Sequence, residues 1–114
     1  MNKIENMKVV EKPWGQETWF VHNDKYLGKL ISIKKDTRLS KQYHEQKQET
    51  FYSIKGRFIL ELNEELIEVH ERQAITIMPG DVHRVIAKYC DVELIEISTP
   101  ESEDIVRVED DFGR

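Results

Sequence analysis

Cysteine, proline, glycine and long apolar runs are all scarce in this 114-residue sequence, which has one Cys, three Pro and five Gly. A lone Cys90 closes no internal disulfide, which favours a reducing compartment, and its simplest role is that of a small, partly buried filler. No stretch approaches the ~20 apolar residues of a bilayer-crossing helix. Residues 1–8 carry charges and lack the apolar segment of a secretory signal. Nor is there a basic block: 17 Lys and Arg against 22 Asp and Glu leave a net charge of -5. That balance disfavours nucleic acid and anionic membranes, while single cations remain able to hold a phosphate. Internal repeats, linkers and low-complexity segments are also missing. One cytoplasmic domain over residues 1–114 is expected, with 1–8 as a frayed or swapped N-terminal arm.

What is present reads as β-structure. Hydrophobic residues make up 39% of the chain, enough for a core, and they alternate with polar ones. Strands are expected at Thr18–His22, Lys29–Lys34, Thr50–Ile54, Phe58–Leu62, Leu66–Val69, Ala74–Ile77, His83–Ala87 and Val92–Ser98. Turn chemistry separates them at Lys55-Gly56, at Leu62 to Glu65 and at Met78-Pro79-Gly80-Asp81. No sustained helical stripe occurs, and the polar segment Lys41–Gln48 reads as a loop or a single turn. Short strands at a spacing of roughly 8–12 residues imply a sandwich or barrel.

Among four histidines, His22 and His70 have polar neighbours and read as ordinary surface residues. His44 and His83 stand in a richer setting. Gln42 and His44 are two apart, so on extended backbone they point the same way. Glu49 enters the next strand, and His83 follows the Pro79-Gly80-Asp81 turn. Two imidazoles, a carboxylate and an amide oxygen suit a borderline divalent metal such as zinc, manganese, iron or nickel. The spacing of His44 and Glu49 alone also fits a polar surface loop.

The wider pattern is more specific. Gln42-x-His44-x4-Glu49-x6-Gly56, followed by Pro79-Gly80-x-x-His83, resembles the two motifs of the cupin superfamily, with Gln42 where that superfamily usually has histidine. Further segments resemble the cupin domain of type II phosphomannose isomerases: Lys12-Pro13-Trp14-Gly15 near the start, Leu39-Ser40-Lys41-Gln42-Tyr43-His44, and Glu103-Asp104-Ile105-Val106-Arg107 with Glu109-Asp110-Asp111-Phe112-Gly113-Arg114 at the end. The chain departs from the family's usual residues at Glu17, Lys47, Thr50 and Phe51.

That resemblance implies an all-β, double-stranded β-helix or jelly-roll barrel. It implies a metal-dependent isomerase acting on mannose 6-phosphate, with one divalent ion (zinc first; manganese, iron, nickel or cobalt otherwise) held by Gln42, His44, Glu49 and His83. Arg107 falls on a family arginine of the active site, and the acidic end of the chain on an ordered strap over the pocket mouth. Arg38, Lys47 and Arg84 are candidates by position for the substrate's phosphate. Trp14 and Trp19 are expected in the core or a lid. Guanylyl transfer is not expected without a nucleotidyltransferase half. A homodimer paired through edge strands is expected. Another metal-cupin enzyme, such as an oxygenase, and a cupin binding a sugar or sugar nucleotide without turnover are the competing expectations.

Overall fold

Twelve strands, every pairing antiparallel, build the computed structural model, which describes residues 2–113. One sheet contains, in spatial order, β1 (Lys8–Lys12), β2 (Gly15–His22), β3 (Leu27–Ile33), β11 (Val92–Ser98), β6 (Glu49–Lys55) and β9 (Ala74–Ile77). The other runs β12 (Val106–Glu109), β5 (Lys41–Tyr43), β10 (His83–Ala87), β7 (Phe58–Leu62) and β8 (Glu65–Val69), and β4 (Thr37–Arg38) also pairs with β10. The chain passes back and forth between the two sheets, which makes this a double-stranded β-helix. The described residues contain no helix, hence none long and apolar enough to cross a membrane.

Burial alternates along the strands with a period of two. On β3, Leu27, Lys29, Ile31 and Ile33 face inward; on β11, so do Val92, Leu94, Glu96 and Ser98. The inward residues sort by height. Ile31, Ile33, Phe58, Leu60, Val85, Ala87, Val92 and Leu94 close one end of the barrel as a dry cluster. Each of these Val, Leu, Ile and Phe side chains stabilises the fold by roughly 1.5–3 kcal/mol on burial. At the other end the same phase carries Lys29, Glu49, His83, Glu96 and Ser98, all buried. The barrel therefore has an apolar end and an end where polar side chains are buried beside apolar ones such as Leu27 and Ile77.

Four strands, β7, β9, β10 and β11, have the bounds their alternation predicts. Lys41–Tyr43 does not form the expected loop: it is strand β5, because β10 and β12 flank it and satisfy its backbone groups. Strands β1, β4 and β12 also escape the alternation rule, each pairing with a single neighbour, β2, β10 and β5. Residues 2–7 lack regular structure and Ile4 is 95% exposed, whereas Lys8, expected in the arm, already pairs with Trp19. At the Lys55-Gly56 turn, Gly56 has φ +81°, and a Cβ there would lie 2.6 Å from the Asp91 carbonyl oxygen.

The acidic C-terminal segment is ordered. Arg107 pairs with Gln42 and Val106 with Tyr43 across β12 and β5. Asp111 then accepts two hydrogen bonds from Arg38, at 2.6 and 2.8 Å. Arg84, 1% exposed, donates to the Leu39 carbonyl at 2.8 Å and lies 3.4 Å from a Glu109 oxygen. Arg114 lies outside the described residues, as does Met1.

Candidate metal centre

His44, Glu49 and His83 each bring one ligand atom to a single point, all within 4.8 Å of one another. Glu49 comes from β6 in the first sheet and His83 from β10 in the second, so the two sheets meet there. Glu49 Oε2 lies 3.0 Å from His44 Nε2, and Oε1 lies 3.5 Å from His83 Nε2. The three residues are 3%, 2% and 1% exposed.

Backbone carbonyls orient both rings. His44 Nδ1–H donates to the Asp104 carbonyl, and His83 Nδ1–H donates to that of Asp81 at 2.9 Å. A carbonyl only accepts, so Nδ1 carries the proton and Nε2 turns its lone pair to the cluster. His44 Nε2, His83 Nε2 and Glu49 Oε2 are buried atoms without a directed hydrogen bond. Such atoms cost free energy when left unmet. Two imidazoles and one carboxylate fit a borderline divalent cation, which would meet all three.

Gln42 sits directly opposite His83 on β5, and paired residues of an antiparallel ladder project to the same side. Its amide borders the same cavity, with Oε1 3.4 Å from Ser40 Oγ. Leu62, His83, Gln42 and Arg107 thus form one rung across β7, β10, β5 and β12. Arg107 lies exposed at the cavity mouth, without a side-chain partner among the described residues.

Lys47 is buried beside this cluster, 3.3 Å from Glu49 Oε2 and 2.9 Å from Glu96 Oε2. Burial lowers its pKa, but Glu96 and Glu49 together raise it above the ordinary value. For Glu49, burial acts upward, yet His44, His83 and Lys47 hold the carboxyl well below the usual carboxylate range. His44 is pulled down by burial and up by Glu49 and the Asp104 carbonyl, with a net rise.

The other two expected phosphate ligands are elsewhere. Arg38 and Arg84 both face Asp111, and neither borders the cavity. Their charge is spent on holding the C-terminal segment. Sequence reasoning missed Glu17, Lys29 and Glu96, which do line it. Their strand phase was the available signal, since Lys29 shares its side with Ile31, and Glu96 with Leu94. Trp14 belongs to the core cluster and also walls the cavity, whose volume is about 130 Å³.

Comparisons with known proteins agree with this architecture. The chain is 29% identical over 105 residues to a mannose-1-phosphate guanylyltransferase of Sinorhizobium fredii, covering 88% of this chain and 20% of that one. It is 30% identical over 109 residues to the mannose-1-phosphate guanylyltransferase ManC of Salmonella typhimurium, covering 92% and 23%. The chain thus spans between a fifth and a quarter of these relatives. Among solved structures, KdgF from a Halomonas species superposes with a TM-score of 0.79 at 17% identity, covering 91% of this chain and 98% of that one. A Streptomyces PAC13 structure with uridine gives 0.79 at 16%, covering 96% and 91%. Residues 1–110 match the model of the family described as Mannose-6-phosphate isomerase C-terminal. With the double-stranded β-helix in place and that match spanning nearly every residue, the chain belongs to the mannose-6-phosphate isomerase C-terminal family.

Proposed function

We infer that this chain is a metal-dependent sugar-phosphate isomerase that interconverts mannose 6-phosphate and fructose 6-phosphate. One observation carries the inference: three buried donor atoms, on His44, Glu49 and His83, converge without hydrogen bonds, with His44 and Glu49 at the wall of a cavity. Gln42 is assigned as the fourth ligand. A divalent ion held there, zinc first and manganese, iron, nickel or cobalt otherwise, supplies Lewis-acid polarisation of sugar oxygens.

The chain's own residues complete the chemistry. Isomerisation moves a proton between C1 and C2 through an enediol, so negative charge develops on oxygen and must be met. Arg107 at the mouth offers five N–H donors in a planar fork, suited to phosphate or to that developing charge. Lys47 stays protonated between two carboxylates and adds a fixed positive charge beside the reacting end. Lys12, Lys29, Lys47 and Arg107 line the cavity against the carboxylates Glu17, Glu49 and Glu96. With a divalent ion added, the cavity is distinctly cationic within a chain of net charge -5, which favours an anionic substrate. The apolar walls at Trp14, Ile31, Leu39 and Phe51 keep bulk water from the intermediate.

The protein is further assigned as a cytoplasmic homodimer. Tyr52, Ile54 and Ile97 are 39%, 42% and 51% exposed on the outer side of β6 and β11, where apolar side chains are otherwise hard to explain.

The deciding experiment is a coupled assay for fructose 6-phosphate formation by the zinc-loaded protein, before and after chelation. Turnover lost to chelator and restored by zinc supports the isomerase. Binding of the sugar phosphate with no turnover would make the chain a binding module instead.

A further inference from the structure

Glu17 lies on β2, three strands away from Glu49 across the first sheet, and lines the same cavity. The residue is 9% exposed. Both of its polar contacts end on one oxygen. Trp19 Nε1–H donates to Oε1 at 2.9 Å, and Lys29 Nζ lies 3.3 Å from Oε1.

These partners are themselves fixed. Trp19 is two residues from Glu17 on one face of β2, and Lys29 is its direct neighbour on β3. The Lys29 ammonium stands 4.2 Å from the centre of the Trp19 ring. Indole and ammonium together set the carboxylate's position, leaving Oε2 without a hydrogen-bond partner among the described residues. Oε2 is not one of the sealed-in polar atoms, so it keeps some exposure, and Glu17 lines the cavity.

Stability does not account for this arrangement. The rung positions next to Glu17 are apolar, with Val10 and Ile31 opposite it and Leu94 opposite Ile31. A buried ion pair in such a setting is commonly no better than well-packed hydrocarbon. A preset acceptor facing the cavity is, however, what recognition of a hydroxyl requires, because its position is fixed before the ligand arrives. Three strand spacings and a register offset separate Glu17 from Glu49, since Glu49 aligns through Ser98 and Leu27 with His22 rather than with Glu17. Glu17 therefore meets a part of the ligand other than the pair of carbons at the metal centre.

Resting on the sugar-phosphate assignment, we propose that Glu17 is a specificity residue whose Oε2 accepts a hydrogen bond from a hydroxyl on the non-reacting part of the sugar. A site built to accept from a hydroxyl discriminates strongly against the analogue lacking it, since the acceptor is then left unpaired.

The test is calorimetric binding of mannose 6-phosphate and its monodeoxy analogues to the zinc-loaded full chain, as wild type and as Glu17→Gln. One deoxy analogue should bind the wild type at least about tenfold more weakly than the parent sugar, and that penalty should shrink below about threefold in Glu17→Gln. Equal binding of parent and all analogues by the wild type overturns the proposal with no variant needed. Penalties unchanged by Glu17→Gln also overturn it, while leaving the sugar-phosphate assignment intact. Should Glu17→Gln not fold, Glu17→Asp keeps the charge beside Lys29 and must still alter the penalty. If the wild type binds neither parent nor analogue, the sugar-phosphate assignment fails and this proposal with it.

Discussion

The Asp104 carbonyl accepts the Nδ1–H of His44, while the Asp104 carboxylate accepts the backbone N–H groups of Glu45, Gln46 and Lys47 at 2.9, 2.7 and 2.8 Å. A single residue, two positions before β12, thus orients a candidate ligand and orders the loop that carries Lys47. Replacing it with alanine leaves three N–H donors unmet and loosens the ring of His44. Asp104→Ala keeps the carbonyl but unties the loop that holds it against His44, so zinc binding should weaken by up to about 10-fold, the low end of what outer-sphere changes cost. Competition with a chromophoric chelator measures this, and an unchanged affinity would detach Asp104 from the centre.

Glu49 is the shared neighbour of both histidines and Lys47. Glu49→Gln preserves the volume but removes the only carboxylate of the cluster. Zinc content by elemental analysis should fall from one ion per chain to near zero. Isomerase activity should drop by at least about 100-fold, in line with a loss of several kcal/mol of transition-state stabilisation.

Lys47 separates two buried carboxylates, those of Glu49 and Glu96. Removing one member of such a group strands the others, at a typical cost of about 3–5 kcal/mol. Lys47→Met should therefore lower the metal-free unfolding free energy in urea by about that amount. Zinc should restore part of it, because a cation then returns beside Glu49. A variant as stable as wild type would show that Lys47 is not the counter-charge.

The C-terminal clamp should respond to acid. Hydrogen bonds from Arg38 hold the Asp111 carboxyl below its ordinary pKa of 3.8. A group with a depressed folded value contributes above its unfolded pKa, and that contribution is lost as pH falls through the folded one. Amide resonances of Val106–Glu109 should hence stay unchanged from neutrality down to about pH 4 and shift below it. Asp111→Asn should show the loosened spectrum already at pH 7, and identical spectra would refute the clamp.

The exposed apolar group on β6 and β11 gives an assembly test. The wild type should have a dimeric mass in light scattering, and Ile97→Lys, which sets a charge on the outer face that Tyr52 and Ile54 share, a monomeric one. A monomeric wild type removes the dimer altogether.

Much of this was legible in the sequence, and the failures share a cause. The long strands announce themselves because each buries one face, and His44, Glu49 and His83 stand out by the wider pattern that resembles the two cupin motifs. Strand β5 is three residues of Lys-Gln-Tyr, whose extended form comes from neighbours distant in the chain. The inner lining was hidden by charge. Glu96 is buried whereas Ile97 is half-exposed, so the hydrophobic pattern of β11 alone points the wrong set outward at the mouth. Arg38 and Arg84 look like free cations in a linear sequence. Only the fold reveals Asp111 beside them.

The rung that joins Leu62, His83, Gln42 and Arg107 ties function to parity. Removing a single residue upstream of Gln42 within β5, or of Arg107 within β12, would invert that segment and turn its key side chain toward solvent. A two-residue change keeps the facing. The hairpin tips at Asn63-Glu64 and near Arg72 have no such constraint, and length variation should accumulate there, while β5 and β12 accept insertions or deletions only in even steps.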